Sequence, residues 1–176
     1  NRRSVYAEKL RGLRDPFLET FNQPGPDKSC ELRATSTVAP QALTLFNAAE
    51  THDRALAFAA RLLRERKKPE AIIRRAFSLA LGRSPLPDEV DICLTHWKDA
   101  TSEEKENLYT KPDFPTEIKR TVMAEKTGQP YEFIEIMPAY KNYIPDLQPA
   151  QTNARTRGLA QACMVLFNLN EFAYLD

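Results

Sequence analysis

Ile72-Ile73-Arg74-Arg75-Ala76-Phe77-Ser78-Leu79-Ala80-Leu81-Gly82 decides the fold class of this chain. Ile72, Ile73, Ala76, Phe77, Ala80 and Leu81 recur at i, i+1, i+4, i+5, i+8 and i+9. That spacing places one apolar stripe along a helix of 3.6 residues per turn. Gly82 supplies the stop, because glycine enters the left-handed conformation that closes helices at no steric cost. Ser84-Pro85-Leu86-Pro87 is a tight connector. Pro87-Asp88-Glu89 opens the next helix with two acids in its first turn, where they suit the helix dipole. Val90, Cys93, Leu94 and Trp97 form its apolar face, and the helix is expected to end near Trp97. Two helices joined by so short a link lie antiparallel or sharply crossed and share one core.

The pattern continues upstream. Leu56, Ala59, Ala60, Leu62 and Leu63 mark a helix starting near Glu50 or Thr51. It ends in a basic run, Arg61, Arg64, Arg66, Lys67 and Lys68, before Pro69. Pro40 opens an earlier helix with Ala42, Leu43, Leu45 and Phe46, and Asn47 stops it. Residues 28–37 read as irregular. Asp15-Pro16 reads as an N-cap followed by proline at the first helical position, for a short helix holding Phe17, Leu18 and Phe21. Gln23-Pro24-Gly25-Pro26-Asp27 ends that helix. Residues 1–14 allow two readings, a short strand at Val5-Tyr6 or a helix through Ala7-Glu8-Lys9-Leu10.

Downstream, residues 99–115 are polar, with a short helix expected at 102–108 and another at 116–126. Gly128-Gln129-Pro130 breaks the second. From Tyr131 to Pro149, prolines 138, 145 and 149 alternate with Phe133, Ile134, Ile136, Tyr140, Tyr143 and Ile144. The stretch is too proline-rich for a long helix and too apolar for a free linker. It reads as an extended arm packed on the helical body. A last helix runs from Asn153 or Arg155 to Phe167, with room for one more turn after it. The fold expected is mainly α: an irregular helical bundle with a proline-rich extended arm and little or no β-structure. Residues 1–176 are expected to be one helical domain, the C-terminal fragment of a larger multidomain protein.

Composition narrows the chemistry. The 25 basic and 24 acidic residues leave a net charge of +1, which gives no general pull toward nucleic acid or an anionic membrane. The basic run at 61–68 lacks interleaved aromatics and reads as the exposed last turn of a helix. No stretch approaches the roughly 18 consecutive apolar residues of a spanning helix, so no transmembrane segment is expected. The opening residues show no signal-peptide pattern. The two histidines, His52 and His96, stand apart, and there is no Cys-x-x-Cys. Metal ligands are therefore expected to be none. Gly-x-Ser-x-Gly and phosphate-binding glycine loops are also absent. The catalytic residues, if any, are unknown from sequence. Of three cysteines, Cys93 and Cys163 sit on apolar helix faces and Cys30 lies in a polar stretch.

The polar residues that stand out are Arg3, Tyr6, Gln41, Asn47, Asn168, Asn170 and Glu171, together with Asn1, Arg2, Ser36 and Thr37. Amide and hydroxyl side chains at helix ends commonly satisfy backbone groups. The alternative is a polar ligand cleft, for a sugar, with Tyr6, Tyr140 or Tyr174 as a stacking platform.

Several strings in order carry a resemblance. They are Asn1-Arg2-Arg3-Ser4-Val5-Tyr6, Cys30-Glu31-Leu32-Arg33, Ser36-Thr37-Val38-Ala39-Pro40-Gln41-Ala42-Leu43 with Asn47, Ala80-Leu81-Gly82-Arg83-Ser84-Pro85, and Leu166-Phe167-Asn168-Leu169-Asn170-Glu171-Phe172-Ala173-Tyr174. Together they resemble the C-terminal domain of unknown function in large planctomycete-type proteins that carry an N-terminal cytochrome-c-like domain. Leu169 departs from the small polar residue expected there. The resemblance implies an extracytoplasmic parent. Haem c would sit in an upstream domain, with no cofactor in this chain. It also implies a link to polysaccharide breakdown and to sulfatase-like proteins, and it supplies no catalytic residues.

The leading expectation is a non-catalytic helical module that packs against upstream domains of its parent and binds a partner protein or glycan. The rival is an enzyme domain acting on sulfated polysaccharide through carboxylates, with Glu171 as the candidate acid. Phe167, Phe172 and Tyr174 would supply the apolar setting that raises a carboxyl pKa. Cys30 is expected either to be free or to pair with a cysteine elsewhere in the parent.

Overall fold

A computed structural model describes residues 12–25, 30–32, 36 and 39–173. The two readings of residues 1–14 and most of the irregular stretch at 28–37 lie outside them. The order of elements is α1 (Pro16–Thr20), α2 (Ala39–Asn47), α3 (Ala49–Glu65), α4 (Pro69–Ala80), α5 (Pro87–Glu103), β1 (Glu117–Met123), β2 (Pro130–Ile136), α6 (Ala154–Phe167) and α7 (Asn170–Ala173). The protein is mainly α, as the apolar periodicity requires.

The local signals act as expected at most helix ends. Asp15 caps α1 by accepting a hydrogen bond from Leu18 N at 2.9 Å, with Pro16 at the first helical position. Gly82 takes φ +71° after α4 and lets the chain turn into the connector. Asn153 caps α6 by accepting from Thr156 N at 2.9 Å. The helix α5 runs on past Trp97 to Glu103, so the short helix expected at 102–108 does not form as a separate element.

The core lies between α3, α4, α5 and α6. Leu56, Ala59 and Leu62 come from α3; Ile72, Ile73 and Phe77 from α4; Val90 and Trp97 from α5. Helix α6 packs most extensively against α3 and α5. It is buried on nearly every side, through Gly158, Leu159, Ala160, Ala162, Cys163, Met164 and Leu166. Small residues at 158, 160 and 162 let the neighbouring helices approach closely. Burial pushes the Cys163 thiol up, with a smaller contribution from Cys93, so Cys163 acts as a small core hydrophobe. Cys30 is exposed and its thiol donates to Leu32 O at 3.0 Å.

Between 116 and 136 the structure differs from what the sequence leads one to expect. The helix expected at 116–126 is strand β1, paired antiparallel with β2 from Glu117↔Ile136 to Met123↔Pro130. Residues 131–136, expected as the start of the extended arm, belong to the second strand. The physical reason is cross-strand pairing. Thr121 and Val122 are β-branched residues that favour strands, and facing Glu132 and Tyr131 they gain partners a lone helix would not give them. Gly128 at φ +64° closes the turn, its N–H bonding Ala124 O at 2.8 Å. Beyond β2 come single 3-10 turns at Pro138–Tyr140 and Pro149–Gln151. Leu147 packs against the core, and Asp146 forms an ion pair with Arg54 of α3.

The hairpin strands make their contacts chiefly with each other. Met123, Ile134 and Ile136 share one face, each more than 60% exposed. Val122, Tyr131 and Phe133 share the other and are also exposed.

Candidate functional site

The sequence-predicted site residues fall in separate places. Arg3 and Tyr6 lie outside the described residues, as do Asn1, Arg2, Thr37 and Tyr174. Gln41 and Asn47 belong to α2. Gln41 is buried, and its amide donates to Thr20 O at 3.1 Å and Ser36 Oγ at 3.4 Å. That bond fastens α2 to the end of α1. Asn47 donates to Leu43 O at 2.9 Å on its own helix. It also borders a shallow groove with Pro40, Leu43, Thr44 and Ala48. Tyr140 packs edge-on against Phe114, their ring centres 5.5 Å apart, and so serves the loop after the hairpin.

Asn168, Asn170 and Glu171 lie at the end of α6 and in α7. Asn168 donates to Met164 O at 2.8 Å, closing the last turn of α6. Asn170 is exposed at the start of α7. Glu171 is held on both oxygens by Arg83, at 2.6 Å from Nε and 3.0 Å from Nη2. The same guanidinium binds both oxygens of Glu89, at 2.8 and 2.7 Å. Its carbon lies 5.2 Å from the centre of the Phe77 ring. Arg83 thus clamps the start of α5 and α7 onto the connector after α4. The fork of guanidinium donors matches two carboxylates in a way one ammonium cannot. Glu89 falls to about 2, first because of its hydrogen bonds with Arg83 and then because Leu86 N–H also donates to it. The Arg83 guanidinium is pushed up by the same two acids.

A second polar cluster, which the sequence reading did not find, joins α5 to α6. Arg157 donates through Nε to Glu104 Oε2 at 2.7 Å and through Nη2 to Glu104 O at 2.9 Å. Its Nη1 reaches Thr152 O at 2.5 Å. Tyr109 OH donates to the same carboxylate at 2.9 Å, and its ring lies under the guanidinium at 4.7 Å. Burial, followed by the Glu104 carboxylate, pushes the Tyr109 hydroxyl up. Both charged side chains are almost covered, at 12% and 8% exposure. Among the described residues no buried side-chain polar atom lacks a partner. This cluster is therefore a satisfied internal brace.

Beside it lies a groove of about 440 Å³. Trp97, Lys98, Thr101 and Ser102 of α5 line it, with Lys105 just beyond that helix. Leu94, Pro69 at the start of α4 and Arg155 in the first turn of α6 complete the walls. Trp97 donates its indole N–H to Arg155 O at 3.0 Å, and the Arg155 guanidinium stands 5.3 Å from the ring centre. The signal was present in sequence as Trp97, Thr101 and Lys105 at four-residue spacing. It was hidden because α5 was expected to stop at Trp97.

Among the described residues no group of three or more His, Cys, Asp or Glu side chains could hold a metal ion. His52 Nε2 sits 3.1 Å from Phe46 O, and His96 is exposed. No helix among the described residues is long and apolar enough to cross a membrane.

A family model described as "PSD1: Protein of unknown function (DUF1553)" matches residues 1–97. The match ends inside α5, at Trp97, so α6 and the hairpin lie beyond it. No curated protein and no solved structure matches the chain. With more than half of its 176 residues matched, the chain belongs to the DUF1553 (PSD1) family of proteins of unknown function.

Proposed function

We propose that this chain is a non-catalytic helical module that docks against upstream domains of a larger protein. The observation that carries this reading is the hairpin 117–136. Apolar side chains stand exposed on both of its faces, and its strands lean chiefly on each other. A two-stranded ribbon is marginal by itself in water, and the exposed apolar pairs Ile134–Ile136 on one face and Tyr131–Phe133 on the other suit a contact surface. The Arg83 clamp on Glu171 supports the same reading. It gives that carboxylate, the candidate acid of the rival polysaccharide enzyme, a structural task.

The finer reading comes from the sequence resemblance. The larger protein would be planctomycete-type and extracytoplasmic, with a cytochrome-c-like domain upstream carrying haem c. This chain would bind no cofactor of its own. Its further partners would be a sulfatase-like protein or polysaccharide, and not nucleic acid.

The test is association in trans between this chain and the rest of its parent, with Ile134→Glu and Ile136→Glu combined as the variant. The proposal expects association by the parent sequence and loss of at least about tenfold in affinity for the variant. Equal association of both, with the variant still helical, would overturn it.

A further inference from the structure

We propose that the groove beside Trp97 binds a small organic anion, a carboxylate, sulfate or phosphate carried on a flat apolar body. The reading is independent of the docking role of the hairpin.

Most arginines of the helical body are already matched: Arg54, Arg61, Arg75, Arg83 and Arg157 each face a carboxylate. Lys98, Lys105 and Arg155 form no ion pair among the described residues. All three border one groove, and no acid lines it. Three unmatched cations around a concave apolar wall attract an anion more strongly than the same charges spread over a convex surface. The net charge of +1 conceals this local excess.

A volume of about 440 Å³ lies in the range of small-molecule sites, roughly 300–1,000 Å³. Leu94 and Pro69, with the small part of Trp97 left exposed, provide an apolar wall for a ring, and Ser102 lies beside the cations, while Thr101 lines the groove with its Oγ1 turned toward Gly158. The wall is held in advance. The Trp97 indole is tied to the Arg155 backbone, and the α5–α6 contact beneath is fixed by the buried Arg157–Glu104 pair. Preorganisation of this kind reduces the entropy lost on binding.

Trp97 is the only tryptophan in the chain, so its fluorescence reports on this groove alone. The full chain would be titrated with phenyl phosphate and benzenesulfonate, and in parallel with uncharged benzyl alcohol and with inorganic phosphate. The expected result is a saturable change in Trp97 emission with the two aryl anions, weakened by salt. Benzyl alcohol and inorganic phosphate should each bind at least about tenfold more weakly. Lys98→Gln combined with Lys105→Gln should weaken the aryl anions by at least about tenfold while the thermal midpoint is kept. Three results of the fluorescence titration would overturn the proposal. These are no saturable change, equal binding by the lysine variant, and benzyl alcohol or inorganic phosphate binding as well as the aryl anions. Amide shifts of Thr101 and Ser102 provide a second readout, and their absence on titration would count against the site equally.

Discussion

Gly158 of α6 sits directly against Thr101 of α5: a Cβ added to the glycine would lie 2.4 Å from Thr101 Oγ1 and 2.6 Å from its backbone N. The second distance matters more, because a hydroxyl can rotate away and a helix backbone cannot. Glycine at 158 thus sets how closely the two helices cross. The crossing in turn aligns Trp97 with Arg155 on one side and Glu104 with Arg157 on the other.

Gly158→Ala is therefore expected to destabilise the protein, despite alanine's better helix propensity. Overpacking of a tight core costs about 1–3 kcal/mol, and contact with backbone puts this site near the upper end. Urea unfolding measures it. A loss below about 0.5 kcal/mol, ordinary for a surface change, would mean that the crossing adjusts freely.

The Arg157–Glu104 pair makes a different demand. Removing one member leaves the other charge buried, which costs about 3–5 kcal/mol. Arg157→Met and Glu104→Leu should each fall near that range. Arg157→Met combined with Glu104→Leu should cost less than the sum of the two single losses, because no orphaned charge remains. Strict additivity in a double-mutant cycle would show that the two side chains act independently.

Acid sensitivity follows from Glu89 and Glu65. Both are depressed from 4.5 to about 2, Glu89 by Arg83 and Leu86 N–H, Glu65 by Arg61 and then Arg75. A folded value below the unfolded one contributes stability that is whole above pH 4.5 and fades as pH falls toward 2. Glu89→Gln should lower stability at neutral pH and flatten its decline across that window. An unchanged slope would show that the clamp contributes nothing to acid unfolding.

How much of this was legible in the sequence varied along the chain. The stripe from Ile72 to Leu81 and the cap at Asp15 were readable because both depend on neighbours within a few residues. The hairpin was not. Its strands depend on pairing such as Val122 with Tyr131, a relation between separate segments with no period inside either one. The end of α5 was missed because its apolar face stops at Trp97. The helix continues because Ala100 is buried and Glu104 meets Arg157 from the distant α6. The same gap concealed the groove, since Lys98 and Lys105 acquire meaning only once α6 places Arg155 across from them. Gln41, Asn47 and Asn168 were among the polar residues singled out from sequence. Each nonetheless donates to a backbone carbonyl, a short-range task that looks the same in sequence as a ligand contact.

The docking role is tested most directly by amide hydrogen exchange over residues 117–136, compared between this chain alone and the longer protein proposed to contain it. The account predicts faster exchange in the isolated chain and clear protection of Val122, Phe133 and Ile134 when the remaining domains are present. Equal exchange in both would contradict it and leave the hairpin a free ribbon with no docking role.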